Sequence, residues 1–323
     1  MQAVVYCDYG SPDVLQLAAI ERPVPGDSQV LVRVRAAAIN PLDWHYMRGT
    51  PFIGRLGMGL RKPAVTRLGV DFAGVVESVG RSVTQFKPGD EVFGGRTGAL
   101  AEYVTIREEG AVVLKPSNLT FEQAAGVGVA AVTALQGLRD KGQVHAGQRV
   151  LINGASGGVG TFAVQIARSL GAHVTGVSST RNVDLVKSIG ADQVIDYTKE
   201  DFTKSAQRYD VILDNVGNHS LSEFRRVIQP EGKYVMVGGP SGRWLDPLPR
   251  ALSALVVSKF VSQDMGLFLA DLNKKDLTVL RDLMAAGKVT PVIDRRYRLS
   301  EVRDAMAYLE TGRARGKVVI MMD

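Results

Sequence analysis

The glycines of Gly154-Ala-Ser-Gly-Gly-Val-Gly160 carry the clearest chemistry in this 323-residue chain. A strand-like run, Arg149–Asn153, precedes them, and an apolar stripe with helical spacing follows. A phosphate can approach a backbone only where side chains are absent. A helix N-terminus adds unpaired N–H groups and the positive end of a dipole. Gly157 and Gly160 fill the second and third slots of a dinucleotide loop, with Ala155 in the first. The next strand-like run, His173–Val177, leads into Ser178-Ser-Thr-Arg181. No carboxylate stands there to accept a ribose hydroxyl, whereas hydroxyls and a guanidinium suit a 2′-phosphate. The expected cofactor is therefore NADPH, with Ser179 and Arg181 at the phosphate. The plainer alternative is a helix start capped by Ser179 or Thr180.

These residues need a scaffold, and the sequence divides into three stretches. The first ~115 residues are short β-rich runs such as Val30–Arg35, Phe72–Val79 and Glu91–Phe93, punctuated by Pro23, Pro25, Pro88-Gly-Asp90 and Gly94-Gly95. From about Leu119, strand-like runs alternate with helical ones: Arg149–Asn153, His173–Val177, Tyr209–Asp214 and Gly232–Val237. Val159, Phe162, Ala163, Ile166 and Leu170 share one face of the first helix, which Gly171 stops. That alternation predicts an α/β fold, a doubly wound parallel sheet of Rossmann type. Two amphipathic helices, around 272–286 and 300–310, then precede a last strand, Lys317–Met322. This strand is expected to return to the first domain, dividing the chain into 1–118, 119–262 and 263–323.

Composition removes several function classes. No apolar run approaches the ~20 residues that span a bilayer, and the start of the chain shows no charged and apolar leader. A cytoplasmic enzyme is expected. The net charge of +6 is dispersed, without a basic stripe carrying interleaved aromatics, so nucleic acid is not implied. Cys7 is the only cysteine, which excludes an intrachain disulfide and any site of several thiolates. Its apolar strand context predicts a small core residue.

Six segments together resemble the zinc-free quinone oxidoreductase and enone reductase branch of the medium-chain dehydrogenase/reductases, over essentially the whole chain. They are Ala38-Ile-Asn-Pro-Leu-Asp43, Gly69–Val76, Phe86–Phe93, the Gly154–Gly160 loop, Leu213-Asp-Asn-Val-Gly217 and Gly312-Arg-Ala-Arg-Gly-Lys317. The resemblance implies a β-rich GroES-like catalytic domain formed by both chain ends around an NADP-binding Rossmann domain. Zinc alcohol dehydrogenases of the superfamily place Cys where this chain has Asn40, and Gly-His-Glu where it has Gly69-Val70-Asp71. No metal site is expected. The resemblance further implies that Ser156, Gly157, Gly158 and Val159 touch the pyrophosphate, and that Tyr197 lies beside the 2′-phosphate. Asn215, Val216 and Gly217 would lie at the nicotinamide, with Arg313, Ala314 and Arg315 in a loop over the cofactor. A homodimer is compatible with the same relationship.

Substrate chemistry centres on Asn40-Pro-Leu-Asp43 and the residues after it. Hydride transfer needs an acceptor carbon held near the nicotinamide and stabilisation of the oxygen that gains charge. Asn40 is placed to face the nicotinamide or a carbonyl, or else to satisfy local backbone. Asp43 is read equally as a site residue and as the N-cap of the following helix. His45 and Tyr46 are candidate proton donors, with bulk water as the alternative. Gly54–Lys62 reads as a mobile lid or a surface loop, and 240–245 with 255–257 as a pocket wall. The expected partner is a quinone or another small conjugated carbonyl. The competing readings are a non-catalytic NADPH-binding protein and, less favoured, a zinc-type alcohol dehydrogenase.

Overall fold

The computed structural model describes residues 1–238 and 262–322. The wall segments 240–245 and 255–257 lie outside the described residues. Two compact units divide the chain, Met1–Val132 with Leu272–Asp323, and Thr133–Asp271.

The second unit is built on six parallel strands. They are β8 (Arg149–Asn153), β9 (His173–Ser178), β10 (Gln193–Asp196), β11 (Tyr209–Asp214), β12 (Ile228–Met236) and β13 (Asp264–Leu267), paired in the order β10-β9-β8-β11-β12-β13. Renumbered from β8 as one, that order is 3-2-1-4-5-6, the doubly wound arrangement whose strand order reverses beside β8. Strands buried on both faces become continuously apolar, and Val150, Leu151, Ile152, Ile212 and Leu213 are each fully buried. The helix Gly158–Ser169 is buried at every residue from Gly160 to Ala167, so it is more enclosed than the single apolar stripe predicts. Gly171, with φ +82°, turns the chain into β9 as expected. A core of Phe202, Tyr209, Phe224 and Tyr234 fills one side of the sheet.

The first unit contains the mixed sheet expected from both chain ends. Strands β3 (Gln29–Ile39), β4 (Asp71–Val79), β5 (Glu91–Gly95), β6 (Tyr103–Arg107), β7 (Val112–Leu114), β14 (Ile293–Arg298) and β15 (Lys317–Met321) form it in the order β14-β15-β3-β4-β5-β7, with β6 also on β3. The C-terminal strand β15 pairs antiparallel with β3, Val318 opposite Ile39, so the last residues complete the sheet begun near the start. A separate hairpin joins β1 (Gln2–Val5) to β2 (Gln16–Ala19).

Cys7 corrects its sequence reading. Strand β1 ends at Val5, and the thiol past that end is exposed. The apolar run was continued two residues too far. Among the described residues no helix is long and apolar enough to cross a membrane.

Candidate active site

In the second unit, three of the four glycines of the Gly154–Gly160 loop play three different physical roles. Gly154 ends β8 at φ +78°, a left-handed turn that glycine adopts without strain. A side chain on Gly160 would lie 2.1 Å from the Gly154 carbonyl oxygen, so packing of helix on strand demands glycine there. Gly157 differs. Its backbone is extended (φ −82°, ψ −179°), and a Cβ would meet nothing nearer than 3.6 Å. Packing of the protein itself does not require glycine at 157. Gly157 is also the N-cap of the helix, leaving the N–H groups of its first turn without intrahelical partners. The loop therefore fits a pyrophosphate.

Beside it, the end of β9 presents Ser179, half-buried, and Arg181, exposed. Tyr197, 57% exposed, follows β10, and its N–H donates to the Ser178 carbonyl at 3.0 Å. Fold topology also delivers a carboxylate that local sequence did not reveal. Asp196, at the end of β10, accepts from the Thr180 hydroxyl at 2.5 Å and from the Thr198 hydroxyl at 2.7 Å. Those hydroxyl bonds, Thr180 first, pull its pKa down to about 2. Thr180 is thus spent on Asp196, leaving Ser179 and Arg181 as the expected donors.

The loop after β11 is organised by the fully buried Asp214. Its Oδ1 accepts from Asn153 Nδ2 at 2.8 Å and from the N–H groups of Val216 (3.1 Å) and Gly217 (2.9 Å). Its Oδ2 accepts from the Tyr234 hydroxyl at 2.6 Å. Asn215 Nδ2 donates to the Asn153 carbonyl at 3.0 Å, while its buried Oδ1 has no partner among the described residues. A Cβ on Gly154 would lie 2.7 Å from Val216 Cγ2. The β8 and β11 loops, expected at the pyrophosphate and the nicotinamide, therefore adjoin at the carboxyl edge of the sheet.

The first unit holds a buried polar cluster around the Asn-Pro-Leu-Asp motif. Asn40, Asp43, Asp71 and Lys317 are each at most 3% exposed. Lys317 Nζ donates to Asn40 Oδ1 at 2.5 Å and lies 3.4 Å from Asp71 Oδ2. Asn40 Nδ2 donates to the same Asp71 oxygen at 2.9 Å, and Val129 N–H to the other at 2.8 Å. Asn40 is therefore satisfied by two side chains rather than by local backbone. Asp43 is not the N-cap. The helix Pro41–Arg48 begins after Asn40, and Asp43, its third residue, accepts from the Asn40 N–H at 2.7 Å and from the Gly69 N–H at 3.0 Å. Proline at the first helical position shifts the start one turn earlier than the capping reading assumed. Burial pushes the Asp43 carboxyl up to about 7, opposed by its backbone donors and Lys317.

His45 Nδ1 faces the Thr50 carbonyl oxygen at 2.8 Å, and its ring stacks on Trp44 with centroids 3.7 Å apart. The carbonyl fixes the proton on Nδ1, and burial lowers the pKa, so Nε2 is an acceptor rather than an acid. Tyr46 is half-buried against the first unit's core. Sequence reasoning passed over Tyr6, whose buried hydroxyl has no partner among the described residues and whose pKa burial raises. Gly54–Lys62 contains a short helix, Arg55–Met58, pinned where Arg55 lies over Tyr9 and donates to the Gly49 carbonyl at 2.9 Å. In the C-terminal loop, Arg313 and Arg315 are exposed, and the Arg315 N–H donates to Asp294 at 2.9 Å.

Comparison with known proteins gives these sites a family. Residues 26–117 match the alcohol dehydrogenase GroES-like domain, and residues 189–320 the family described as zinc-binding dehydrogenase. Among the described residues no group of three His, Cys, Asp or Glu side chains is placed to hold a metal ion, so the donor set does not fit zinc. The chain is 38% identical to 2-methylene-furan-3-one reductase of Solanum lycopersicum and 37% identical to NADPH-dependent alkenal/one oxidoreductase of Arabidopsis thaliana. Each comparison covers 99% of this chain and 79% of the relative. The quinone oxidoreductase of Coxiella burnetii superposes with a TM-score of 0.86 at 31% identity, covering 100% of this chain and 99% of that one. The chain belongs to the medium-chain dehydrogenase/reductase superfamily, in its quinone oxidoreductase and alkenal/enone reductase branch.

Proposed function

We propose that this oxidoreductase uses NADPH to reduce quinones or α,β-unsaturated carbonyls without a metal. The observation that carries the cofactor is the Gly154–Gly160 loop, where Gly157 caps the helix and no side chain covers its first-turn N–H groups. Ser156, Gly158 and Val159 join it at the pyrophosphate, and Ser179, Arg181 and Tyr197 serve the 2′-phosphate. Asn215, Val216 and Gly217 serve the nicotinamide, and Arg313, Ala314 and Arg315 complete the set. When bound, the cofactor supplies hydride. The name of the Arabidopsis relative, an NADPH-dependent alkenal/one oxidoreductase, supports the same cofactor and substrate class.

Side chains of the first unit serve the acceptor. Lys317 and Asp71 hold the Asn40 amide in one orientation, leaving a single Nδ2 hydrogen to donate to a developing oxyanion. Asp43 fixes the backbone of that turn. With His45 Nε2 an acceptor, the proton comes from Tyr46 or from water. A substrate without a Lewis acid to polarise it must delocalise the incoming charge itself, and conjugated carbonyls do so. The test is NADPH oxidation against a panel of quinones and enones, with simple alcohols and NADP⁺ as the reverse control. Reduction of the enone double bond with the carbonyl retained is expected. Robust alcohol oxidation, or inertness across the panel despite tight NADPH binding, would refute the proposal.

A further inference from the structure

We infer that Asn182 is a positioning residue that turns the hydroxyl hydrogens of Ser156 and Ser179 outward, toward the cofactor's two phosphate groups. The inference rests on the NADPH reading above and concerns a residue outside the expected site. Asn182 occupies the N-cap of the helix Val183–Ser188, where asparagine ordinarily accepts from a first-turn N–H. Here its side chain makes no capping bond. It is 5% exposed and reaches away from its own helix, across to the β8 loop. Nδ2 donates to Ser156 Oγ at 2.9 Å and makes a longer contact to Ser179 Oγ at 3.4 Å. Oδ1, also buried, has no partner among the described residues.

The direction of these bonds matters more than their number. A carboxamide nitrogen has two hydrogens and nothing to accept with, so both serine oxygens must act as acceptors. Each hydroxyl has one hydrogen and two lone pairs. With a lone pair committed inward, its hydrogen is left for an outside acceptor, and an anionic phosphate oxygen is the strongest available. Among the described residues neither hydroxyl donates to a protein acceptor. The reversed amide would take both serine hydrogens and bury two unpaired N–H groups. Orphaned N–H groups are rarer in proteins than under-satisfied carbonyls, which favours the orientation seen. One side chain thus presets two loops from different strands, one assigned to the pyrophosphate and the other to the 2′-phosphate.

The experiment measures equilibrium binding of NADPH, NADH and adenosine 2′,5′-bisphosphate by calorimetry, for the wild type, Asn182→Ala and Asn182→Asp. Thermal unfolding checks the fold. Losing directed, charge-assisted bonds should weaken NADPH about tenfold in Asn182→Ala, and NADH by less. Asn182→Asp, acceptor-only and anionic, should weaken the two ligands that carry a 2′-phosphate, NADPH and adenosine 2′,5′-bisphosphate, further. The deciding measurement repeats Asn182→Ala in a Ser156→Ala/Ser179→Ala background. If Asn182 acts through the serines, its effect vanishes there, whereas a merely structural role persists. NADPH affinity within twofold of wild type in a folded Asn182→Ala, or an undiminished effect in the serine-free background, would overturn the inference. A wild type that binds no NADPH would instead overturn the cofactor reading beneath it.

Discussion

At the residue scale, the deepest commitment is the Lys317–Asp71 pair, 3% and 0% exposed by side chain. Removing one member of a buried ion pair costs about 3–5 kcal/mol, because the charge left behind has no compensation. Lys317→Met should therefore lower stability by that order in urea unfolding. Adding Asp71→Asn should recover much of the loss, since the amide oxygen still accepts from Val129 N–H without a stranded charge. A double variant no more stable than Lys317→Met alone would show that the pair is not the determinant. Little of this was legible in sequence. Asn40 and Asp43 stood out through a local motif, but Lys317 is more than two hundred residues away and only strand pairing delivers it. Asp196 was missed for the same reason. The end of β9 carries no acid, and the carboxylate comes from the strand beside it.

At the element scale, glycine spacing and strand alternation did announce the nucleotide fold, because short-range pattern and tertiary role coincide there. The strands expected at Arg149–Asn153 and Tyr209–Asp214 stand where sequence put them. Shorter ones such as Gln193–Asp196 escaped, having too few residues for a period to show. The same element separates folding from binding. Gly157→Ala meets only an ordinary van der Waals contact and an ordinary backbone conformation, so its melting temperature should stay near that of the wild type while NADPH affinity falls at least tenfold. Gly160→Ala drives a methyl into the Gly154 carbonyl and should destabilise folding by about 1–3 kcal/mol. Equal losses of stability in both variants would undo the distinction between a ligand-facing and a packing glycine.

At the scale of the whole molecule, buried and bonded carboxyls set opposing pH limbs. The Asp196, Asp201, Glu122 and Glu223 carboxyls are held below their ordinary values, mainly by hydroxyl and backbone donors. Their contribution is present above the unfolded pKa and lost as pH falls through the folded one. Asp43 runs the other way. Burial raises it from 3.8 to about 7, so between those values the folded state binds more protons than the unfolded state. Stability from this group is full below pH 3.8 and is lost as pH rises toward 7. His45, lowered by burial, opposes it, contributing above 6.5 and losing that contribution as pH falls through its folded pKa. Wild-type stability alone would mix these limbs. The difference between wild type and Asp43→Asn isolates one, since the other groups titrate alike in both. That difference, followed by urea unfolding, should move steadily against the wild type from pH 4 to 7 and level off above. A flat difference would mean that Asp43 stays ionised throughout, held by the Asn40 and Gly69 N–H groups and Lys317 more strongly than burial opposes it.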